Sequence, residues 1–436
     1  MVRRIVISTI VLAALAAIAV QASPALVEPP GPAPNLDESG RSGEPVPVPE
    51  PNENTLSYYR SGNVLWSVHV AWSLLIPALF LFTGFSARIR NWAAAIGRGW
   101  FLTIGVYFVI FCAILFVINL PLSFVTYYLR PHAFDLSNQT LAKWFGDALK
   151  GLVISAVTGF LFLWVPYLLL RKSPRRWWLY TGLLLVPFVC FLVLVQPVVI
   201  DPMFNESGPL EDERLEARIV QLADRAGIDD VKVYQVAKSV DTKAAGAYVT
   251  GLLGTKRIIL WDTMIEKMNE EELSFIVAHE MGHYTLGHFG QWIAVYCALI
   301  LGSLYVAHRL SEAMLRRFHL RFGFRRLADV ASLPLIILLM NFFLLAATPL
   351  ALGFLRHNER IADTYGLELT RDNHAAATAF VKLQHRNLVH PRPGLFYKLW
   401  RASHPPLGER VDFCNSYRPW ATGEPLRYPD RFTEEP

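Results

Sequence analysis

The sequence predicts an all-α multispan membrane protein with a small α+β domain inserted among its spans, on three observations. Hydrophobic residues make up 53% of the 436-residue chain and charged residues only 18%, whereas about 45–50% and about 25% are usual in soluble globules. Seven apolar runs, near 4–22, 63–85, 100–128, 148–170, 177–200, 289–308 and 331–355, match the length of about 20 residues that a helix needs to cross a bilayer. Between the fifth and sixth runs lies one long polar stretch, 201–288, that mixes helical and strand periodicities.

The first run, within MVRRIVISTIVLAALAAIAVQA, has a basic start, an apolar middle and a Val-Gln-Ala end. It suits either a first span or a cleaved signal peptide (residues 1–22). Residues 23–62 are rich in Pro, Glu, Gly and Ser and read as an extended, mobile linker. In the polar insertion, Leu215, Ile219 and Leu222 share a helical face, and Gly227 is a stop signal. VKVYQV alternates as a strand, and GAYVTGLLGTKRIILWD reads as a hairpin. NEEELSFIVAHEMGHYTLGH reads as a helix with Asn269 as its N-cap and acidic residues in its first turn.

Charge and cysteine content exclude several classes. The net charge of +5 forms no basic stripe with interleaved aromatics, so nucleic acid is not a partner. Cys112, Cys190, Cys297 and Cys414 form no CxxC pair and read as small hydrophobes rather than as a disulfide framework or zinc cluster. Arginines and lysines gather between alternate spans: Arg88, Arg90 and Arg98; Arg171, Lys172, Arg175 and Arg176; Arg316, Arg317, Arg321, Arg325 and Arg326. With Arg3 and Arg4, all fall on one side of a seven-span layout, and the positive-inside rule makes that side cytoplasmic. The polar insertion and the C-terminal tail then face away from the cytoplasm.

The insertion ends in FIVAHEMGHYTLGH, residues 275–288. On a helix His279 and His283 lie one turn apart on one face, where two imidazoles can hold Zn²⁺. Glu280 can reach a metal-bound water as general base. His288 does not extend the motif, because HExxHxxGxxH requires Gly and His at positions occupied by Leu286 and Phe289; it reads as a helix-end residue near the membrane surface. After the seventh run comes HNERIADTYGLEL. Alone, it reads as an interfacial helix end with solvated charges. Beside HExxH, Glu359 is a candidate third ligand leaving one position open for water, and Asp363, four residues on, a candidate acceptor for a ligand histidine.

These motifs give the chain a family resemblance. LPLSFVTYYLRPHAFDLSNQTL, PMFN, KRIILWDTMIE, HEMGHYTLGH, ERIADTYG and SHPPLGER resemble, in order and spacing over about residues 100–412, the type I CAAX prenyl proteases, integral membrane zinc metalloendopeptidases. The resemblance implies one zinc held by His279, His283 and Glu359, with Glu280 as general base and acid and Asp363 behind the ligands. It implies that His404 and Arg410 line the site, holding the peptide or stabilising the oxyanion; alone, His404 reads as a loop histidine braced by Pro405 and Pro406. It implies membrane helices enclosing a water-filled chamber, and substrate added along the strand Ala247, Tyr248, Val249 and Thr250. Gly246 stands where the family commonly has Asn, which bears on substrate choice.

The function expected is therefore membrane-embedded peptide-bond hydrolysis of a CAAX-processing type, with a peptide or lipidated-protein substrate and membrane lipids as partners. Two alternatives stand beside it: a heat-shock-type quality-control metallopeptidase, which has fewer spans before HExxH, and a transporter or scaffold with structural zinc. The charge count places the protein in a plasma (inner) membrane with a non-cytoplasmic site. The eukaryotic members imply the alternative, a cytosol-facing site in an endoplasmic-reticulum-type membrane.

Overall fold

The computed structural model describes residues 44–228, 232–250 and 257–433; the apolar run 4–22 lies outside the described residues. Among the described residues, five helices are long and apolar enough to cross a membrane: Glu53–Phe82, Trp100–Ala133, Leu141–Lys172, His288–Phe322 and Val330–Thr370. The run 177–200 forms a shorter apolar helix, Trp177–Val195, closed by a π turn at Gln196–Ile200. Leu65, Phe80, Tyr107, Phe111, Tyr167 and Leu333 form the core of the bundle. Its basic end is tied by polar contacts that satisfy buried hydroxyls: Ser86 Oγ meets Tyr107 OH at 2.7 Å and donates to Ala331 O at 2.6 Å. Tyr167 OH and Ser332 Oγ are 3.1 Å apart.

The inserted domain has a four-stranded sheet in the order β1-β2-β4-β3, comprising β1 (Ser207–Pro209), β2 (Val233–Val236), β3 (Ala247–Thr250) and β4 (Arg257–Trp261). β3 and β4 form the expected antiparallel pair, from Ala247 opposite Leu260 to Thr250 opposite Arg257. β3 is therefore an edge strand, while β2 and β4 run parallel. Helix Glu213–Arg225 packs Leu215, Ile219 and Leu222 inward and stops before Gly227, whose φ is +63°. Helix Glu270–Thr285 starts with a capping box in which Asn269 and Glu272 satisfy each other's backbone N–H. Buried Glu272 is neutralised by Lys382 Nζ at 2.7 Å.

Three features differ from the sequence-based expectation. The linker assigned to 23–62 is not loose where it is described: a helix begins at Glu53, and Val46 is buried in the core of the inserted domain. Asn415 grips Val46 through both backbone groups, at 2.9 Å each. These bonds and the burial of one valine hold an otherwise proline-rich segment that has no periodicity of its own. Helix His288–Phe322 runs through Arg316, Arg317 and Arg321, so most of the expected sixth-to-seventh loop is helical. The seventh span and the segment bearing Glu359, which alone reads as a solvated helix end, are one helix, Leu333–Thr370, in which Glu359 and Asp363 are buried. No helix-breaking signal separates them, because Pro349 is accommodated inside that helix.

This long helix crosses Glu270–Thr285 at close range, and two glycines make the approach possible. A Cβ at Gly366 would lie 3.1 Å from the backbone N of His279, and one at Gly282 would lie 3.1 Å from the Tyr365 side chain. Gly366→Ala is expected to force the helices apart and destabilise the protein by about 1–3 kcal/mol. Thermal unfolding of the detergent-solubilised variant, with and without added metal, checks this; an unchanged melting temperature would show that the crossing has slack.

Candidate active site

The crossing brings His279 and His283 from one helix to face Glu359 from the other. One ligand atom from each lies within 4.8 Å of the other two. The two Nε2 atoms are 3.1 Å apart, and each lies 3.4 Å from a Glu359 oxygen. All three side chains are buried.

Both imidazoles are oriented from behind. His279 Nδ1 lies 3.0 Å from Asp363 Oδ1. His283 Nδ1 lies 2.8 Å from Nδ1 of His288. With their protons on Nδ1, both rings present bare Nε2 atoms to the same point, the arrangement that metal-ligating histidines adopt. Glu359 Oε2 is buried without a hydrogen bond, and an orphaned carboxylate oxygen facing two imidazole lone pairs calls for a cation. The residues present thus fit a divalent metal.

His288 corrects the sequence-based expectation. It is buried at 1% exposure rather than lying at the membrane surface, and it packs with Trp292 around His283. Its nitrogen touches Nδ1 of His283, so it is not a third ligand but braces one. The helix break at Gly287, φ +68°, folds His288 back under His283. A rigid helical count cannot anticipate that turn.

Arg410 lines a cavity together with His279 and Glu280, and its guanidinium is already engaged there. Its Nε and Nη2 donate to the two oxygens of Asp363 at 3.0 and 2.5 Å, and its guanidinium lies 4.0 Å above the Phe380 ring. The fork thus fixes Asp363, which fixes His279. His404, by contrast, looks out: it is 56% exposed, with Nε2 at 3.3 Å from Glu359 Oε2 and Nδ1 at 2.9 Å from Ser403 Oγ.

Two cavities meet at this point. One, of about 370 Å³, is bounded by Ala245, Gly246 and Ala247 before and at the start of β3, together with Asn387, Tyr397 and Arg401. The other, of about 570 Å³, has an aromatic wall of Tyr248, Tyr284, Phe289, Trp292 and Tyr296. His279, Glu280, Ala247 and His404 line both. Of the candidate strand, Ala247 and Tyr248 therefore face the cavities; Val249 and Thr250 continue β3 by backbone pairing. Gly246 has a packing reason as well, since a Cβ there would meet the Trp261 indole at 3.2 Å.

Because His288 acts only through His283, His288→Ala is expected to weaken metal binding about 10–100-fold while leaving the fold intact. Competition with a graded series of chelators measures this, and wild-type affinity in the variant would refute the bracing role.

The comparisons with known proteins agree with this geometry. Residues 50–206 match the CAAX prenyl protease N-terminal region of five membrane helices, and residues 209–417 match peptidase family M48. The metalloprotease YhfN of Bacillus subtilis is 36% identical over 375 residues, covering 85% of this chain and 88% of its own. CAAX prenyl protease 1 of Saccharomyces cerevisiae is 29% identical over 316 residues, 68% of each chain. The crystal structure of S. mikatae Ste24p superposes with a TM-score of 0.72 at 20% identity, covering 94% of this chain and 97% of that one. The shared fold is a chamber of membrane helices with a small sheet-bearing domain. The chain belongs to peptidase family M48 and is an integral membrane metalloprotease.

Proposed function

We propose that the protein is a zinc endopeptidase that cleaves peptides laid along β3, with His279, His283 and Glu359 holding one zinc per chain. The observation that carries this reading is the position of Glu280. It lines both cavities beside the three clustered ligand atoms, where a peptide passing from one cavity to the other would present its scissile bond. Zinc bound there would polarise the carbonyl and acidify the attacking water. Glu280 takes the proton of that water and returns it to the leaving amine. His404, exposed beside Glu359, donates to the oxygen on which charge develops. Arg410 and Asp363 are positioning residues that hold His279. β3 offers its unpaired edge to the substrate backbone.

The names of several relatives indicate CAAX prenyl proteases, and the aromatic cavity suits a lipidated cysteine or another large apolar group. The substrate class proposed is accordingly a peptide with a lipidated or apolar residue at the cleavage site. A scaffold with structural zinc has no use for a carboxylate facing open cavities, and closed structural sites usually carry four protein ligands. Glu280→Gln should therefore keep its metal and lose most hydrolysis of a farnesylated peptide. Metal analysis and peptide cleavage on the same preparation test this, and retained cleavage would return the scaffold reading.

We further propose that the basic end of the bundle is cytoplasmic and the site is not. In support, Arg90 pairs with Asp329, which gathers two of the basic segments at one end. Helix His288–Phe322 has 35 residues, about 52 Å at 1.5 Å per residue, with the site at its start and the arginines at its end. Single cysteines placed in Arg316–Arg326 and after Pro419, on a cysteine-free background, should label oppositely with an impermeant reagent on intact cells. Labelling of the tail alone is expected, and labelling of the arginine segment alone would reverse the assignment.

A further inference from the structure

The loop that carries His404 has little of its own to hold it in place. It runs from the end of helix Leu395–Trp400 to the start of helix Leu407–Ser416, and Pro405 and Pro406 bring no backbone N–H to it. The N–H of Ala402 turns to Tyr397 O at 2.9 Å rather than to Lys398 O one helical turn back. The helix thus leaves its last carbonyls to partners from outside. Arg356 provides the partner. Its Nη1 donates to Lys398 O at 2.6 Å and to Ala402 O at 2.7 Å, on the two sides of the point where the helix ends. Hydrogen bonds from a charged donor are stronger than neutral ones, so the start of the loop is firmly pinned.

Arg356 belongs to the same helix as Glu359. Arg356, Glu359 and Asp363 stand at i, i+3 and i+7 in Leu333–Thr370 and share one face. Glu359 faces His404, whose Nε2 lies 3.3 Å from its Oε2. Asp363 takes the fork of Arg410, which sits in the first turn of the helix after the loop. One helix therefore grips the loop on both sides of His404, before it through Arg356 and after it through Asp363. Trp400 adds a tie to the same helix, donating through Nε1 to Leu345 O at 3.3 Å. We infer that Arg356 is a positioning residue for the hydrolytic step: by pinning the end of helix Leu395–Trp400 to the helix that bears Glu359, it sets where His404 stands relative to the reacting oxygen. Arg356 lines neither cavity, so its effect passes through the loop. The inference rests on the role proposed for His404 above and adds the residue that fixes it.

The test is a double-mutant cycle read on cleavage of a farnesylated peptide. His404→Ala should lower kcat about 100- to 1,000-fold, the usual loss for one oxyanion donor. Arg356→Gln should lower kcat about 10- to 100-fold, the effect of a small displacement of an oriented group, with KM nearly unchanged and metal content as in wild type. In the double variant the loss should be that of His404→Ala alone, because Arg356 then has nothing to position. Hydrogen exchange, which needs no turnover, should quicken across residues 401–404 in Arg356→Gln while exchange in Leu333–Thr370 stays as in wild type. Arg356→Lys keeps the charge on a different head group and should recover part of the rate. Losses that add in the double variant, or unchanged exchange at 401–404, overturn the positioning role and leave His404 and the peptidase reading standing. Full kcat in His404→Ala overturns the role of His404 and this inference with it, while Glu280 and the metal cluster keep theirs. Should Arg356→Gln not fold, the same cycle with Arg356→Lys decides, and additive losses there overturn the inference equally.

Discussion

The close crossing of helices Glu270–Thr285 and Leu333–Thr370 is the constraint on which the site depends. Each helix supplies part of one metal-binding cluster, so the separation of their backbones sets whether three ligand atoms converge. Gly282 and Gly366 remove the side chains that would hold them apart. Around that crossing the packing is dense: Phe275, Ala278, Met281, Tyr365 and Leu367 are fully or nearly fully buried. Dense interiors transmit strain rather than absorb it, so a methyl group added here displaces ligands rather than merely filling space.

Once the helices meet, charge has to balance in a place with little water. Glu359, Asp363, His279 and Arg410 are all at most 6% exposed. An unpaired charge there would be strongly destabilising. The Arg410 fork neutralises Asp363, Asp363 orients His279, and the Glu359 oxygen left without a hydrogen bond faces the point where a cation would sit. His283 is oriented by another imidazole, that of His288, instead of a carboxylate. One of the two candidate ligand histidines thus has a carboxylate behind it and the other does not, which limits the negative charge gathered around the point that Glu359 faces.

The membrane part and the peptidase part are not separable units. Leu333–Thr370 is a span at its start and a wall of the catalytic site at its end, and His288–Phe322 begins beside a ligand histidine and ends among arginines. The segment at 46–49 is fastened to the same domain by Asn415 and Gln384. The edge strand β3, the clustered side chains of His279, His283 and Glu359, and the bundle are therefore connected pieces, and the two cavities open where they meet.

Local pattern was enough for much of this. Five of the seven apolar runs, the amphipathic face of Leu215, Ile219 and Leu222, the antiparallel pairing of β3 with β4, and the cap at Asn269 are each fixed by residues a few positions apart, and these formed as read. The i, i+4 pairs His279–His283 and Glu359–Asp363 also follow from helical geometry alone, which is why the metal cluster was legible. What required the tertiary structure was everything set by approach between distant segments. The glycines at the crossing, the use of the Arg410 fork on Asp363, the return of His288 beneath His283, the docking of Val46, and the meeting of Arg356 with the loop of His404 depend on residues far apart in the chain. Helical and strand periodicity carries no information about such pairings, because which faces touch is decided by packing and by where buried charge can be balanced.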